Sequence, residues 1–247
     1  MSGFLAAARY LTIVPLPGPG HAPIDALGRS AAWFPIVGIG IGVGLVLADR
    51  VTSWLFPPLL AALLTVTAWK LVTGGLHLDG LADCLDGLVG RDPERRLAVM
   101  RDSRIGAFGA IGLIFFLLLE IVALSELPPA VRARTLLAAP VIARATPALL
   151  SRLFRPARPD GQGAAFHASV ARSSTAIGVA VALAVALLSL GALGLVVIAV
   201  GLLAALAVAG LLARLLGGIT GDVLGAAVEV SELTVLLTVS AWTFTGR

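Results

Sequence analysis

Residues 193–216 read LGLVVIAVGLLAALAVAGLLARLL, an apolar run broken by one charge, Arg214. As a helix it would be about 36 Å long, enough to cross the ~30 Å hydrocarbon core of a bilayer. A helix that is apolar all round cannot sit on the surface of a small soluble domain. Shorter runs of the same kind occupy 30–48, 59–73, 107–124, 135–150, 174–190 and 228–244. Charged residues make up 13% of the chain, against roughly 25% in soluble domains, and the mean hydropathy is +1.00. The expected fold is therefore all-α: a polytopic integral membrane protein with about seven transmembrane helices, within a range of six to eight. Residues 1–247 form one transmembrane domain. The segment 4–17, broken by Pro15, Pro17 and Pro19, is expected to lie at the interface, and Arg9 within its apolar run makes it a poor signal peptide.

Basic residues indicate which way the chain runs. With the N-terminus in the cytoplasm, Arg9, Arg29, the five arginines of 74–106 and the four of 151–173 fall inside. Arg50, Arg132, Arg134 and Arg247 fall outside, while Lys70, Arg144 and Arg214 lie within proposed spans. That bias follows the positive-inside rule and places segments 74–109 and 217–232 on the cytoplasmic face. The same topology, with anionic lipid and anionic substrate, accounts for the net charge of +4. There is no basic tract interleaved with aromatics, so no nucleic-acid partner is expected. The single cysteine, Cys84, can form no internal disulfide and is read as packing.

Segment 74–109 reads GGLHLDGLADCLDGLVGRDPERRLAVMRDSRIGAFG. Asp79, Asp83 and Asp86 are spaced i, i+4, i+7 and project from one helical face. Like charges so placed repel unless a cation neutralises them. Hard oxygen ligands at this spacing suit Mg²⁺ or Mn²⁺, the usual clamp for phosphate-bearing substrates. A second acidic group lies in GGITGDVLGAAVEVSEL, 217–233, where Asp222 and Glu229 share a face and Glu232 lies farther round. Ionisable groups beside spans usually line a cavity or pair with another group.

These two motifs, together with RYLTIVPLP (9–17), WFPIVGIGIG (33–42) and RPARPDGQGAAF (155–166), closely resemble the cobalamin synthase family, the adenosylcobinamide-GDP ribazoletransferases. Nearly the whole chain is covered. Two positions depart from the family pattern: Ala107 stands where Thr is expected, and Glu120 where many members carry Lys. The resemblance implies a transferase of vitamin B12 biosynthesis. It would join adenosylcobinamide-GDP to α-ribazole, or to α-ribazole 5′-phosphate, and release GMP. It also implies a Mg²⁺ requirement and residence in the cytoplasmic (inner) membrane with the active site facing the cytoplasm.

On that reading Asp79, Asp83 and Asp86 hold metal, with Asp83 central to catalysis. Asp222 or Glu229 is the candidate base, and Asp222 alternatively a ligand to a second metal. Arg101 and Arg104 are expected on phosphate oxygens, with Asp102 a possible holder of one of them. Arg144 is expected to face the interior and to reach phosphate or a carboxylate, and His77 is a weaker substrate contact. Arg91, Arg95 and Arg96 are expected at lipid headgroups. A homo-oligomer, or docking of other corrinoid-pathway enzymes, is compatible with the sequence. A CDP-alcohol phosphatidyltransferase would also place aspartates on membrane helices, but Asp86-Gly87 continues as Leu-Val-Gly-Arg rather than in that pattern. An ion-coupled transporter would favour acidic residues at mid-span, whereas both clusters are expected at span ends.

Overall fold

The computed structural model describes residues 3–16, 24–159 and 162–246. Pro17, Pro19, Asp160, Gly161 and Arg247, which entered the sequence reading, lie outside the described residues. Two short helices, α1 (Gly3–Leu11) and α2 (Ile24–Arg29), precede α3 (Phe34–Leu55) and α4 (Pro58–Val72). Then come α5 (Leu76–Gly87), α6 (Pro93–Val99), α7 (Ala107–Ser125) and α8 (Pro129–Leu153). The chain closes with α9 (Gln162–Ser169), α10 (Arg172–Leu190), α11 (Leu193–Leu216) and α12 (Gly221–Phe244). Among the described residues the only β feature is an isolated bridge between Pro156 and Ile219.

Helices α3, α7, α8, α10, α11 and α12 are each long and apolar enough to cross a membrane. The α4–α5 pair, bent by 91°, makes a seventh crossing if counted as one span. The chain is thus a polytopic all-α membrane protein, as expected. Gly74 and Gly75 have φ of 62° and 65°, a left-handed conformation that glycine adopts without steric cost. Two such residues in succession turn the chain sharply, so α4 ends and α5 sets off at 91° to it, packed against α12 and α7.

Small residues build the centre. Buried residues make up 78% of the membrane window of α8 and 67% of that of α12, against 22–33% for α7, α10 and α11. Helices α8 and α12 therefore form the interior, and α7, α10 and α11 turn most of their surface outward. Gly38 and Gly42, four apart on α3, face α8 so closely that a Cβ would come 2.7 Å from Pro140 O and 2.9 Å from Leu137 O. This is the small-x3-small contact by which membrane helices approach without a hydrophobic driving force between them.

The helices run farther than hydropathy alone suggests. Helix α3 continues past residue 48 through Asp49 and Arg50, and α8 begins at Pro129, before Arg132. The reason is pairing across helices: Arg132 Nε lies 3.4 Å from Asp49 Oδ2, both side chains buried. A larger correction concerns 217–232, expected to be a cytoplasmic motif segment. Only 217–220 is a turn, and α12 starts at Gly221 rather than near 228, capped by the Thr220 hydroxyl, which accepts from Val223 N at 3.2 Å. Glu229 and Glu232 thus lie two to three helical turns inside α12 and are fully buried. Satisfied by cations on other helices, these acids do not interrupt the span.

Loops that topology assigns to one face do meet at one end of the bundle. Arg96 Nη1 donates to Leu215 O (3.1 Å) and Arg158 Nη2 to Leu97 O (2.8 Å). Ala157 N donates to Ile219 O and Ile219 N to Arg155 O, both at 2.9 Å. Segments 88–106, 154–159 and 217–220 are therefore joined around the ends of α5 and α12.

Candidate active site

Helix α5 lies against the first half of α12. Gly80 makes this possible: a Cβ there would come 2.8 Å from Asp222 O. One turn along, Gly225 packs on His77, with 3.3 Å from its would-be Cβ to the His77 backbone. Two segments more than 130 residues apart in sequence thus bring Asp79 and Asp83 of α5 beside Asp222 of α12. Electrostatics reflects the juxtaposition. Partial burial, then the negative charges of Asp79, Asp222 and Asp86, push the Asp83 carboxyl up to about 6.

Asp86 has a different environment. Its Oδ2 accepts from Gly106 N (2.7 Å) and its Oδ1 from Gly109 N (2.8 Å). It clasps the N-terminus of α7, where unpaired N–H groups and the helix dipole favour a carboxylate. Any Cβ at Gly106 or Gly109 would collide with that carboxylate. Both Asp86 oxygens are thus already engaged, which sets it apart from Asp79 and Asp83.

The expected phosphate ligands also divide. Arg104 is engaged with Asp102 on an exposed loop, Nε to Oδ1 at 3.0 Å and Nη2 to Oδ2 at 2.7 Å. Those bonds hold the Asp102 carboxyl down at about 2. Arg101 is exposed on the same loop, within electrostatic range of Arg158. Arg158, which sequence reasoning left in an unassigned basic loop, lines a cavity of about 200 Å³ with Thr220, Gly221 and Asp222. The 24-residue helix α12 starts at this cavity, and the N-terminus of a long helix favours anions.

Arg144 does not reach that cavity. It is buried on α8, where its Nη1 is ion-paired with Glu232 Oε1. Glu229, a candidate base, is likewise committed to the interior. Lys70 Nζ donates to Glu120 Oε1 (2.9 Å), Glu229 Oε2 (2.5 Å) and Glu232 Oε2 (3.4 Å). Glu120, Glu229 and Glu232 are the one carboxylate trio among the described residues tight enough to hold a metal directly, yet the Lys70 ammonium already sits among them. This network, built on α4, α7, α8 and α12, was missed because Lys70 and Glu120 looked like isolated charges in apolar runs and Glu229 and Glu232 were read with Asp222. Lys70, Glu120, Arg144, Glu229 and Glu232, all within proposed spans, were the available signal.

His77 is buried and, among the described residues, its Nδ1 has no hydrogen-bond partner. With Asp79 and Asp222 it borders a second cavity of about 150 Å³, walled by Tyr10, Phe34 and Phe166. This cavity and the one at Arg158 share Gly163, Gly221 and Asp222. The aromatic chamber and the chamber at Arg158 therefore adjoin at Asp222.

Comparison with known proteins identifies the family. The family described as cobalamin-5-phosphate synthase matches residues 3–240. The adenosylcobinamide-GDP ribazoletransferase of Geotalea daltonii is 38% identical over 239 residues, covering 96% of each chain. The protein of the same name from Escherichia coli strain K12 is 40% identical over 245 residues, 95% of this chain and 97% of that one. No solved structure matches this chain. A match of this extent at both ends, taking in both acidic motifs, makes the chain a member of the cobalamin-5-phosphate synthase family.

Proposed function

We propose that this membrane transferase carries out the reaction for which its relatives are named, at the junction of α5 and α12 and on the cytoplasmic side of the inner membrane. A ribose hydroxyl of α-ribazole, or of its 5′-phosphate, attacks the corrinoid-bearing phosphorus of adenosylcobinamide-GDP. A new P–O bond forms, the P–O bond to GMP breaks, and the hydroxyl proton passes to a carboxylate. Asp222 is the candidate base, since Glu229 is held by Lys70. The products are adenosylcobalamin, or its 5′-phosphate, and GMP. The observation that carries this reading is the convergence of Asp79, Asp83 and Asp222 beside Arg158 and the N-terminus of α12.

The donor set suits Mg²⁺. Asp79 and Asp83 offer hard oxygens, Asp222 faces them, and the mutual repulsion felt at Asp83 is what a divalent cation would relieve. Their oxygens do not form a tight cage, which fits an ion that keeps much of its water. When bound, Mg²⁺ would neutralise the diphosphate and the charge growing on GMP. Arg158 and Arg101 bind and orient the phosphates, and the α12 N-terminus adds donors pointed at the same place. Because phosphoryl transfer passes through a loose transition state, positioning supplies more of the rate than the base does.

The test is purified protein in detergent with adenosylcobinamide-GDP, either acceptor and Mg²⁺, following GMP by chromatography. GMP released in step with a cobalamin product is expected. No release with either acceptor would contradict the reading.

A further inference from the structure

The aromatic chamber carries information about which substrate enters it. Three rings from three separate helices form a ladder along its wall. Phe166 of α9 and Phe34 of α3 lie 5.9 Å apart between centroids, tilted by 23°. Phe34 and Tyr10 of α1 lie 6.1 Å apart, tilted by 25°. Phe34 and Phe166 are buried, but Tyr10 at the end of the ladder keeps 44% of its surface accessible. It lines both this chamber and the neighbouring groove along α1. The rest of the wall is mixed: Leu11, Leu27, Leu76, Leu224 and Pro147 supply hydrocarbon, and the ionisable side chains, His77, Asp79 and Asp222, come only from α5 and the start of α12. Among the described residues no Ser, Thr, Asn, Gln, Lys or Arg lines the chamber.

The cavity, about 150 Å³, is small beside the ~300–1,000 Å³ of sites that enclose whole drug-sized ligands. It suits one ring system, with the rest of the ligand continuing into the basic chamber. Two bases take part in the transfer proposed above. Guanine has acceptors at O6 and N7 and donors along its other edge. The two carboxylates here, Asp79 and Asp222, are those assigned to metal and base. Among the described residues no Ser, Thr, Asn, Gln, Lys or Arg lines the chamber to donate to O6 and N7, so these would go unpaired at substantial cost. A benzimidazole base has a carbon edge and one free ring nitrogen, so it brings a single acceptor to be paired and leaves the rest of the ring to stacking and hydrocarbon.

We propose that the chamber between Tyr10, Phe34 and Phe166 seats the base of the acceptor nucleoside, a flat fused aromatic ring without hydrogen-bonding substituents. The ribose then extends to Asp79 and Asp222, and any 5′-phosphate or the reacting diphosphate enters the Arg158 chamber. GMP leaves from the basic side. This assignment rests on the transfer reading, and it divides the two substrates between the two chambers.

Direct binding tests it separately from turnover. α-Ribazole is titrated into the full-length protein in detergent with no donor present, following the intrinsic fluorescence of its base. The titration is repeated with excess GMP and with Tyr10→Ala, Tyr10→Phe and Leu76→Trp. Saturable binding that GMP does not displace is expected. Loss of a stacking ring in Tyr10→Ala should weaken it by roughly five- to a hundredfold, Tyr10→Phe should restore it, and Leu76→Trp should block it by filling the chamber. Displacement by GMP would assign the chamber to guanine instead. Unchanged affinity in both Tyr10→Ala and Leu76→Trp would remove the base from this chamber altogether. A wild-type protein that binds α-ribazole in this way yet releases no GMP from the donor would overturn the transfer reading and leave the chamber assignment standing.

Discussion

The three aspartates of α5 look equivalent in sequence and are not equivalent in the folded chain. Asp83 is pressed by neighbouring carboxylates, so Asp83→Asn should abolish GMP release without lowering the melting temperature. Asp86 holds Gly106 N and Gly109 N, and its loss leaves two α7 donors unpaired. Asp86→Ala should therefore destabilise the protein by about 2 kcal/mol, read as a lower Tm in detergent. Unchanged Tm in Asp86→Ala would mean the clasp contributes nothing. Lys70 is a third kind of case. Its ammonium compensates three buried glutamates, and removing one partner of a buried ionic group costs about 3–5 kcal/mol. Lys70→Met should be the most destabilising of these changes, and a Tm like that of the wild type would show the network to be dispensable. Asp83 feels its sequence neighbours Asp79 and Asp86 as well as Asp222, but the partners of Asp86 lie 20 and 23 residues away, and those of Lys70 at least 50. Spacing could reveal three carboxylates on one face, but it could not reveal what each one faces.

Among the elements, the spans were legible because a bilayer demands length and apolarity together, and both are local properties. The ends of α3, α8 and α12 were not. Asp49 and Arg132 read as boundaries until their pairing across α3 and α8 is known, and the acidic residues from Asp222 onward made 217–232 read as a segment outside the spans. The site depends on one close approach, that of α5 to α12 at Gly80. Gly80→Val places two methyl groups against the Asp222 backbone and should separate Asp79 and Asp83 from Asp222. Since misplacement of about an ångström can cost a factor on the order of 100, kcat/KM for GMP release should fall by about that factor while the protein still assembles in the membrane. Near-normal kcat/KM in Gly80→Val would mean that this approach is not needed.

At the scale of the molecule, the account requires one catalytic face. Cysteines introduced at Val89 and Arg155, in a Cys84→Ser background, should label from the cytoplasmic side, and one at Ala130 from the opposite side. Labelling of Val89 and Arg155 from opposite sides would break the topology. The two acidic motifs were visible in the sequence, as was the expectation that they meet, although Glu229 and Glu232 of the second lie inside α12. Their meeting through Gly80, and the aromatic and basic chambers around Asp222, depend on packing among α1, α3, α5, α9 and α12 and could not be read from any one segment. The central claim is that α5 and α12 contribute to a single site. It is tested most directly by a double-mutant cycle in the GMP-release assay with Asp79→Asn and Asp222→Asn. Groups that act as a unit are strongly non-additive. Each single variant should slow turnover by roughly a hundredfold or more, and the double variant should be little slower than the worse single. Full activity in Asp222→Asn, or effects that simply multiply in the double variant, would contradict a shared site.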